Sequence, residues 1–96
     1  MKRVAMNWFV YILQCADVSL YTGITTDLKR RVGEHNANDK KGARYTRARR
    51  PVVLVYSEQV ENRAFAAQRE YAIRQLSRAQ KLALISTAPK ADFVTS

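Results

Sequence analysis

The residues best suited to chemistry lie in the first third of the chain. They are two tyrosines, an arginine and the single histidine, namely Tyr11, Tyr21, Arg31 and His35. An arginine can bind a phosphate through two parallel hydrogen bonds and offset negative charge on its oxygens. A tyrosine or a histidine can donate or accept a proton, although a phenol with a pKa of about 10 is a poor base at neutral pH. These residue types suit the hydrolysis of a phosphodiester, which requires an activated water and charge stabilisation.

A β-hairpin is predicted to carry the two tyrosines. The runs Trp8–Leu13 and Leu20–Thr25 are rich in aromatic and β-branched residues, and the residues between them are polar enough to turn. Opposed residues of an antiparallel pair share a face and have numbers that sum to a constant. A loop centred on Ala16 would therefore place Tyr11 directly opposite Tyr21. A register shift of two residues keeps both rings on one face, whereas a slip of one residue separates them.

A helix over residues 27–36 is expected to carry the arginine and the histidine. Either Thr26 or Asp27 can cap its first N–H groups, and its apolar residues recur at i and i+4, so that they should face the sheet. Arg31 and His35 have the same spacing and fall ~40° apart around the axis and ~6 Å apart along it. We therefore expect both side chains at the edge of the buried face, near the strand that carries Tyr21.

The remaining pattern predicts one small α+β domain. The first strand is apolar on both faces, which is typical of a central strand covered on both sides. A strand over residues 52–57, a helix over 61–75 and a helix over 78–85 capped by Ser77 complete the order β-β-α-β-α-α. This order predicts a three-stranded antiparallel sheet flanked by helices, within a lead-in at 1–7, a domain at 8–86 and a flexible tail at 87–96.

A carboxylate interrupts the apolar stripe of the helix over 61–75. Ala66, Glu70 and Ile73 lie at i, i+4 and i+7, so Glu70 is predicted to face the interior. Burial of an unpaired carboxylate is costly, which implies a cation or a metal beside it. Arg74 at i+4 offers a simpler partner, in an orientation that stabilises a helix by only a few tenths of a kcal/mol. The spacing alone leaves both alternatives open.

A cationic segment follows the first predicted helix. This basic segment, Asp39–Arg50, is predicted to be a loop and contains no acidic residue after Asp39. Its candidate nucleic-acid contacts are Lys40, Lys41, Arg44, Tyr45, Arg47, Arg49 and Arg50. Six cations around one aromatic ring suit a surface that follows a phosphate backbone, with a base or sugar against the ring. Gly23, in the second strand, leaves a space beside Tyr21 where a phosphate or a backbone could approach, and a β-bulge is an equally common reason for a glycine within a strand.

The overall charge favours a polyanionic partner. The 96 residues contain 17 Lys and Arg against 8 Asp and Glu, a formal charge of +9, and neutralising phosphates with release of counterions drives most non-specific nucleic-acid binding. Cys15 is the single cysteine, which excludes an internal disulfide and suits a small packed residue. Asn7 interrupts an N-terminal run that mimics a signal peptide, and no run approaches ~18 apolar residues. We therefore expect a soluble, cytoplasmic protein that does not bind membranes.

These motifs occur together in a known order. VYI around Tyr11, YTG from Tyr21 to Gly23, DLKRRVGEH at 27–35, GARYTRARRP at 42–51, Val55–Tyr56 and Glu70 resemble the GIY-YIG nuclease module, in particular its small single-domain bacterial members. The similarity covers roughly residues 8–86. The chain departs from the family pattern in lacking the glycine before Tyr11 and an asparagine after Asn62, which some family nucleases use.

The resemblance implies a GIY-YIG fold and a metal-dependent endonuclease that hydrolyses phosphodiester bonds in DNA with little sequence specificity. It assigns catalysis to Tyr11, Tyr21, Arg31 and His35, and one Mg²⁺ or Mn²⁺ to Glu70. A tyrosine takes the proton of the attacking water in this scheme, and the sequence does not decide which one. Branched, damaged and single-stranded DNA stay open as substrates, as do RNA and the oligomeric state. No small-molecule cofactor is expected.

Two other functions are compatible with the sequence. A nucleic-acid-binding module that has lost efficient catalysis would bind through the basic segment and be indifferent to Glu70. A protein-partner adaptor would have no affinity for polynucleotides.

Overall fold

The chain folds into a three-stranded antiparallel sheet with helices on both faces. A computed structural model describes residues 7–88. The strands are β1 (Trp8–Gln14), β2 (Leu20–Thr25) and β3 (Val53–Val60), and the helices are α1 (Leu28–Ala37), α2 (Arg44–Arg47), α3 (Arg63–Arg74) and α4 (Arg78–Ile85). The predicted α+β class and the order β-β-α-β-α-α are confirmed, and the short helix α2 lies within the basic segment that was predicted to be a loop.

The first strand lies in the centre of the sheet, as its apolar character on both faces predicts. The strand order is β2-β1-β3, and both pairings are antiparallel. Val10 and Ile12 are buried on one face against Ala66 and Ile73 of α3. The alternate residues of β1 are buried on the other face, where the apolar side of α1 covers them. Helix α1 and helix α3 therefore pack on opposite faces of the sheet.

The hairpin register differs from the expected one by two residues. Tyr11 pairs with Gly23, and Leu13 pairs with Tyr21, so the direct opposition of the two tyrosines is wrong. The two rings nevertheless lie on one face, because a shift of two preserves the alternation of side chains. The loop is centred on Asp17, whose carboxylate accepts a hydrogen bond from the backbone N–H of Ser19 at 3.1 Å. This side-chain turn closes the hairpin one residue later than expected.

Side-chain caps determine where the helices begin. Asp27 accepts a hydrogen bond from the backbone N–H of Arg30 at 3.0 Å, so it is the cap of α1 rather than Thr26. Asn62 caps α3, which begins two residues later than predicted. Ser77 forms a reciprocal capping box with Gln80, and α4 has the predicted bounds.

The ends of the described region complete the core. Strand β3 continues to Val60, three residues beyond the prediction, because its ladder with β1 extends to the pair Trp8 and Val60. The turn after α4 continues to Ala88, which packs against the core, so Thr87 and Ala88 do not belong to a loose tail. The rest of the predicted tail and all of the lead-in except Asn7 lie outside the described residues. Within residues 7–88, no helix is long and apolar enough to cross a membrane.

Candidate active site

A buried hydrogen bond joins the first tyrosine to the histidine. Tyr11 lies on the central strand and is 1% exposed, and His35 lies on α1 and is fully buried. The Tyr11 hydroxyl is 2.9 Å from Nε2 of His35. The sheet and the helix thus hold two of the three proton-transfer groups of the predicted site in direct contact.

A threonine orients the imidazole from its other side. Thr46, in α2, is fully buried, and its Oγ1 lies 2.8 Å from Nδ1 of His35. The hydroxyl of Thr46 also donates to the carbonyl of Ala43 at 3.0 Å, so its lone pair faces the imidazole. This assigns the ring proton to Nδ1 and leaves Nε2 to accept from Tyr11. The Ala43 N–H, 3.5 Å from Nδ1, would favour the other tautomer, but that contact is long and correspondingly weak.

The sequence pattern did not indicate a role for Thr46. It stands between two cations in the motif RYTR, where the charges draw attention to phosphate binding and a hydroxyl carries no periodic signal. Thr46 reaches His35 only because the basic segment folds back against the end of α1. A contact between residues 35 and 46 cannot be read from local spacing.

Gly23 makes room for Tyr11. A Cβ atom at this position would lie 2.4 Å from the Tyr11 hydroxyl oxygen and 2.6 Å from the adjacent ring carbon. The space that was expected to admit a phosphate is therefore filled by the phenol itself. Glycine is required here because the ring lies across the backbone of β2.

Arg31 stands beside this pair and remains partly exposed. Its Nη1 donates to the Glu34 carboxylate at 2.8 Å and to the backbone carbonyl of Lys41, which fixes the guanidinium at the edge of the buried face. The positive charge lowers the pKa of both Tyr11 and His35, so it lies within electrostatic reach of both. This is the position that the helical spacing predicts.

The second tyrosine contacts the imidazole edge-on and stacks on a third tyrosine. The ring centroid of Tyr21 lies 5.2 Å from that of His35 and 5.9 Å from that of Tyr45. The guanidinium of Arg49 lies 3.9 Å from the Tyr45 centroid. Tyr45 is thus already in contact with a ring and a cation, and its predicted contact with a base or sugar would use the part of the ring that stays exposed.

Glu70 has one of the two partners that the sequence left open, the ion pair with Arg74, and a metal beside it stays a prediction. Its carboxylate pairs with Arg74 at 3.6 Å, and its side chain is 23% exposed. Burial is the main cause that raises the pKa of Tyr11 and of Tyr21, and the negative charge of Glu70 adds a smaller effect in the same direction. The carboxylate therefore interacts electrostatically with both phenols, although α3 packs on the face of the sheet opposite to α1.

Burial holds both proton-transfer groups in their neutral forms. Burial raises the pKa of Tyr11 to about 12, against a smaller opposing effect of the Arg31 hydrogen bond and charge. Burial also lowers the pKa of His35 to about 4, and the charge of Arg31 lowers it further. At neutral pH the site contains a phenol and a neutral imidazole.

The basic segment divides into cations that stabilise the fold and cations that face outward. Arg47 donates to the Asp39 carbonyl, Arg49 pairs with Asp17 at 3.1 Å, and Arg50 pairs with Asp39 at 2.9 Å. Arg50 also donates to the backbone carbonyl of His35 at 2.6 Å. Lys40, Lys41 and Arg44 are exposed. The predicted nucleic-acid contacts therefore differ. Arg47, Arg49 and Arg50 bond to other residues of the fold, whereas Lys40, Lys41 and Arg44 face the solvent.

The fold and this constellation define a class of protein. A model of the GIY-YIG catalytic domain matches residues 7–83. The chain belongs to the GIY-YIG family, which is a family of nuclease domains, and this confirms the resemblance.

The similar proteins include a group of small chains. A UPF0213 protein of Desulfotalea psychrophila is 59% identical over 83 residues, covering 86% of this chain and 74% of that protein. A UPF0213 protein of Halobacterium salinarum is 56% identical over 75 residues, covering 78% of this chain and 95% of that protein. The solution NMR structure of a UPF0213 protein from Bacillus halodurans shares 45% identity and a TM-score of 0.54, with 85% of each chain covered.

Proposed function

We propose that this protein is a metal-dependent endonuclease that hydrolyses phosphodiester bonds in DNA. The observation that supports the proposal most directly is the 2.9 Å hydrogen bond between Tyr11 and His35, with Arg31 beside it. A proton acceptor, a relay and an anion-binding cation are the protein groups that such a reaction needs.

Arg31 would bind the phosphate that is cleaved. Nη1 of its guanidinium donates to the Glu34 carboxylate and to the Lys41 carbonyl, and these two hydrogen bonds hold the group in one orientation at the edge of the site. An arginine fork matches two phosphate oxygens, and its charge offsets the negative charge that grows on them in the transition state. Fixing the group beforehand removes the entropy cost of ordering a long side chain during the reaction.

Tyr11 would act as the proton acceptor through His35. The water proton moves to the Tyr11 oxygen while the phenol proton moves to Nε2, so the phenol need not ionise in advance. The imidazolium that forms keeps its Nδ1 proton on Thr46, 2.8 Å away. A neutral His35 is required to receive the proton, and its lowered pKa keeps it neutral at pH 7. Tyr21 lacks this direct hydrogen bond to the imidazole, which is why we assign the relay to Tyr11 and the positioning of the substrate to Tyr21.

Glu70 would hold the divalent cation. Mg²⁺ and Mn²⁺ favour oxygen ligands, and Mg²⁺ is commonly bound by one or two carboxylates with water and substrate phosphate oxygens in the remaining positions. A partly exposed carboxylate within the field of both phenols fits that donor set as the single protein ligand. When bound, the cation would supply charge stabilisation for the phosphoryl oxygens and a water of lowered pKa.

The substrate would be recognised by its backbone rather than its sequence. The charge of +9 and the exposed Lys40, Lys41 and Arg44 are suited to phosphate contacts, which carry no sequence information. We expect DNA with exposed or distorted strands to be cut more readily than regular duplex, and the same contacts to extend to RNA. A cytoplasmic location is part of this proposal.

A cleavage assay tests the proposal. Nicked, forked and single-stranded DNA and RNA are incubated with Mn²⁺, Mg²⁺ or EDTA, and products are resolved on a denaturing gel. We expect metal-dependent cleavage by the wild type, and loss of cleavage but not of binding in Glu70→Gln and Arg31→Ala. Arg74→Gln is the matched control, because it removes the ion pair of Glu70 and leaves its carboxylate. A wild type that is inert on every substrate would contradict the proposal, as would cleavage that Arg74→Gln abolishes as completely as Glu70→Gln.

A second candidate function is a nucleic-acid-binding module with weak catalysis. One observation favours it: among residues 7–88, no three His, Cys, Asp or Glu side chains come together in an arrangement that could hold a metal ion. A single carboxylate binds a divalent cation weakly unless the substrate completes the shell. Salt-sensitive binding that is identical in the wild type and Glu70→Gln, with no cleavage by either, would establish this alternative.

A further inference from the structure

A basic groove, separate from the basic segment, borders Arg31 and does not include Tyr11 or His35. It has a volume of about 300 Å³ and is open to solvent, and its lining comes from the start of β1, the end of β2, the first two turns of α1 and the start of α3. Its lining residues are Trp8, Ile24, Thr25, Thr26, Arg30, Arg31, Glu34 and Arg63. None of them belongs to the basic segment, and only Arg31 belongs to the predicted site.

The lining has an excess of positive charge. Three arginines from two helices border the groove, and Glu34 is its single acidic residue. Glu34 pairs with Arg31 at 2.8 Å and with Arg30 at 3.6 Å, so one carboxylate is shared between two cations. Arg63, at the start of α3, adds a third positive charge to the lining. A groove lined by charges of one sign concentrates a ligand of the opposite sign.

An aromatic ring, that of Trp8, also lines the groove. The guanidinium of Arg63 lies 5.9 Å from the ring centroid of Trp8, close enough for a cation–π contact. Arg30 lies 3.5 Å from Oγ1 of Thr25, which is itself buried, and the neighbouring Thr26 is exposed. The groove therefore offers guanidinium groups, a hydroxyl and an indole, a combination that suits a sugar-phosphate chain with a base against the ring.

Arg31 connects this groove to the rest of the proposed substrate surface. Its guanidinium lies beside Tyr11 and donates to the carbonyl of Lys41 in the basic segment, and its side chain also lines the groove. A strand whose scissile phosphate is bound by Arg31 has cationic surface on both sides of that phosphate.

We propose that the groove of Trp8, Arg30 and Arg63 binds the phosphodiester backbone of the nucleic-acid strand that continues past Arg31 from the basic segment. This inference rests on the proposed function, because it takes Arg31 as the residue at the scissile phosphate. The ligand class is a polynucleotide strand, not a free phosphate or nucleotide. Productive binding then requires nucleotides on both sides of the cleaved bond.

The test uses the double variant Arg30→Gln/Arg63→Gln. Arg30 is exposed, and Arg63 lies at a helix N-terminus, where loss of a cation is favourable to the helix dipole, so the variant is expected to fold. Arg78→Gln is the control for the loss of a single charge elsewhere, since Arg78 is an exposed cation that also begins a helix but lies outside the groove. The single tryptophan of the chain lines the groove, so its intrinsic fluorescence reports occupancy directly.

Binding of an oligothymidylate of about 12 nucleotides, a length that a small domain can cover, is measured by anisotropy and by Trp8 emission over a series of salt concentrations. We expect the double variant to bind on the order of tenfold more weakly at low salt and to lose about 1.4 from the slope of log K against log salt, since each phosphate contact on a single strand contributes about 0.7. Arg78→Gln should change the slope little. Inorganic phosphate at the same ionic strength should leave Trp8 emission unchanged.

Three outcomes would overturn the inference. The first is an equal loss of affinity per removed charge in the double variant and in Arg78→Gln, which would indicate general electrostatics. The second is Trp8 emission that the oligonucleotide does not alter, and the third is an emission change produced by inorganic phosphate alone. Failure of the proposed function is distinguishable, because the wild type would then cleave nothing while the binding difference between the variants persisted.

Discussion

The hydroxyl of Tyr11 and Nε2 of His35 are 2.9 Å apart, although 24 residues separate them in the chain and both side chains are buried. Tyr11 lies on the central strand and His35 lies on α1, and their burial restricts the rotamers of both side chains. The same burial keeps both neutral at pH 7. The proposed reaction requires concerted proton transfer through this pair, so the geometry of the hydrogen bond is expected to matter more than the basicity of either group.

Replacing Gly23 with alanine should displace Tyr11. The new Cβ would lie 2.4 Å from the phenol oxygen, so the ring must move and the bond to His35 must break. We expect a loss of about 1–3 kcal/mol in the free energy of unfolding from overpacking. Cleavage should fall by about a hundredfold, a typical result of a displacement of 1 Å at a reacting group.

Gly33→Ala is the matched control for this change. Nothing lies within 4 Å of a Cβ at Gly33, which is exposed in α1. Alanine there should stabilise the protein by about 0.4–1 kcal/mol and leave cleavage unchanged. Urea denaturation and the gel assay measure both effects, and a Gly23→Ala protein with wild-type turnover would refute the role of the phenol.

Thr46→Val should disturb the imidazole without changing the volume of the side chain. It removes the oxygen 2.8 Å from Nδ1 and leaves a buried N–H without a partner, which costs about 1–3 kcal/mol. The tautomer with the proton on Nε2 then becomes competitive, and we expect kcat to fall about tenfold or more with little change in KM. Thr46→Ser keeps the hydroxyl and should restore most of the activity. Equal activity in the valine and serine variants would show that Thr46 does not orient the ring.

Stability should decrease between pH 6.5 and pH 4 because of His35. Its pKa is about 4 in the folded protein against 6.5 for the free side chain, so the unfolded chain binds the proton more readily. The contribution is fully present above pH 6.5 and is lost as the pH falls to about 4, with a maximum of about 3 kcal/mol.

His35 is the single histidine, so His35→Gln should flatten the stability profile in this window. Denaturation curves for both proteins at pH 7.5, 6.0, 5.0 and 4.5 test this. A wild-type profile as flat as that of the variant would contradict a buried neutral imidazole.

Two arginines of the basic segment should respond differently to replacement by glutamine. Arg50 donates to the His35 carbonyl at 2.6 Å and pairs with Asp39 at 2.9 Å, so Arg50→Gln should destabilise the fold by about 1–3 kcal/mol. Arg44 is exposed, and Arg44→Gln should change stability by no more than about 0.5 kcal/mol while reducing the salt dependence of oligonucleotide binding. Parallel melting and anisotropy measurements separate the two effects. Equal stability losses would show that the division of this segment is wrong.

Local rules determined much of the fold from the sequence alone. The alternation of side chains placed Tyr11 and Tyr21 on one face, since that depends only on parity along each strand. Helical spacing placed Arg31 and His35 at the edge of a buried stripe, and capping residues located α1 and α4. These features depend on residues a few positions apart, which is why the pattern was sufficient.

Only the tertiary structure decided which groups touch. The hairpin register depended on how Asp17 closes the turn, and the space at Gly23 was filled by a residue from another strand. Thr46 reached His35 because the basic segment folds back, and Arg63 came to line the same groove as Arg30 although it lies 33 positions later in the chain. Periodicity reports the face on which a side chain lies, whereas contacts between distant segments depend on how all the elements pack together.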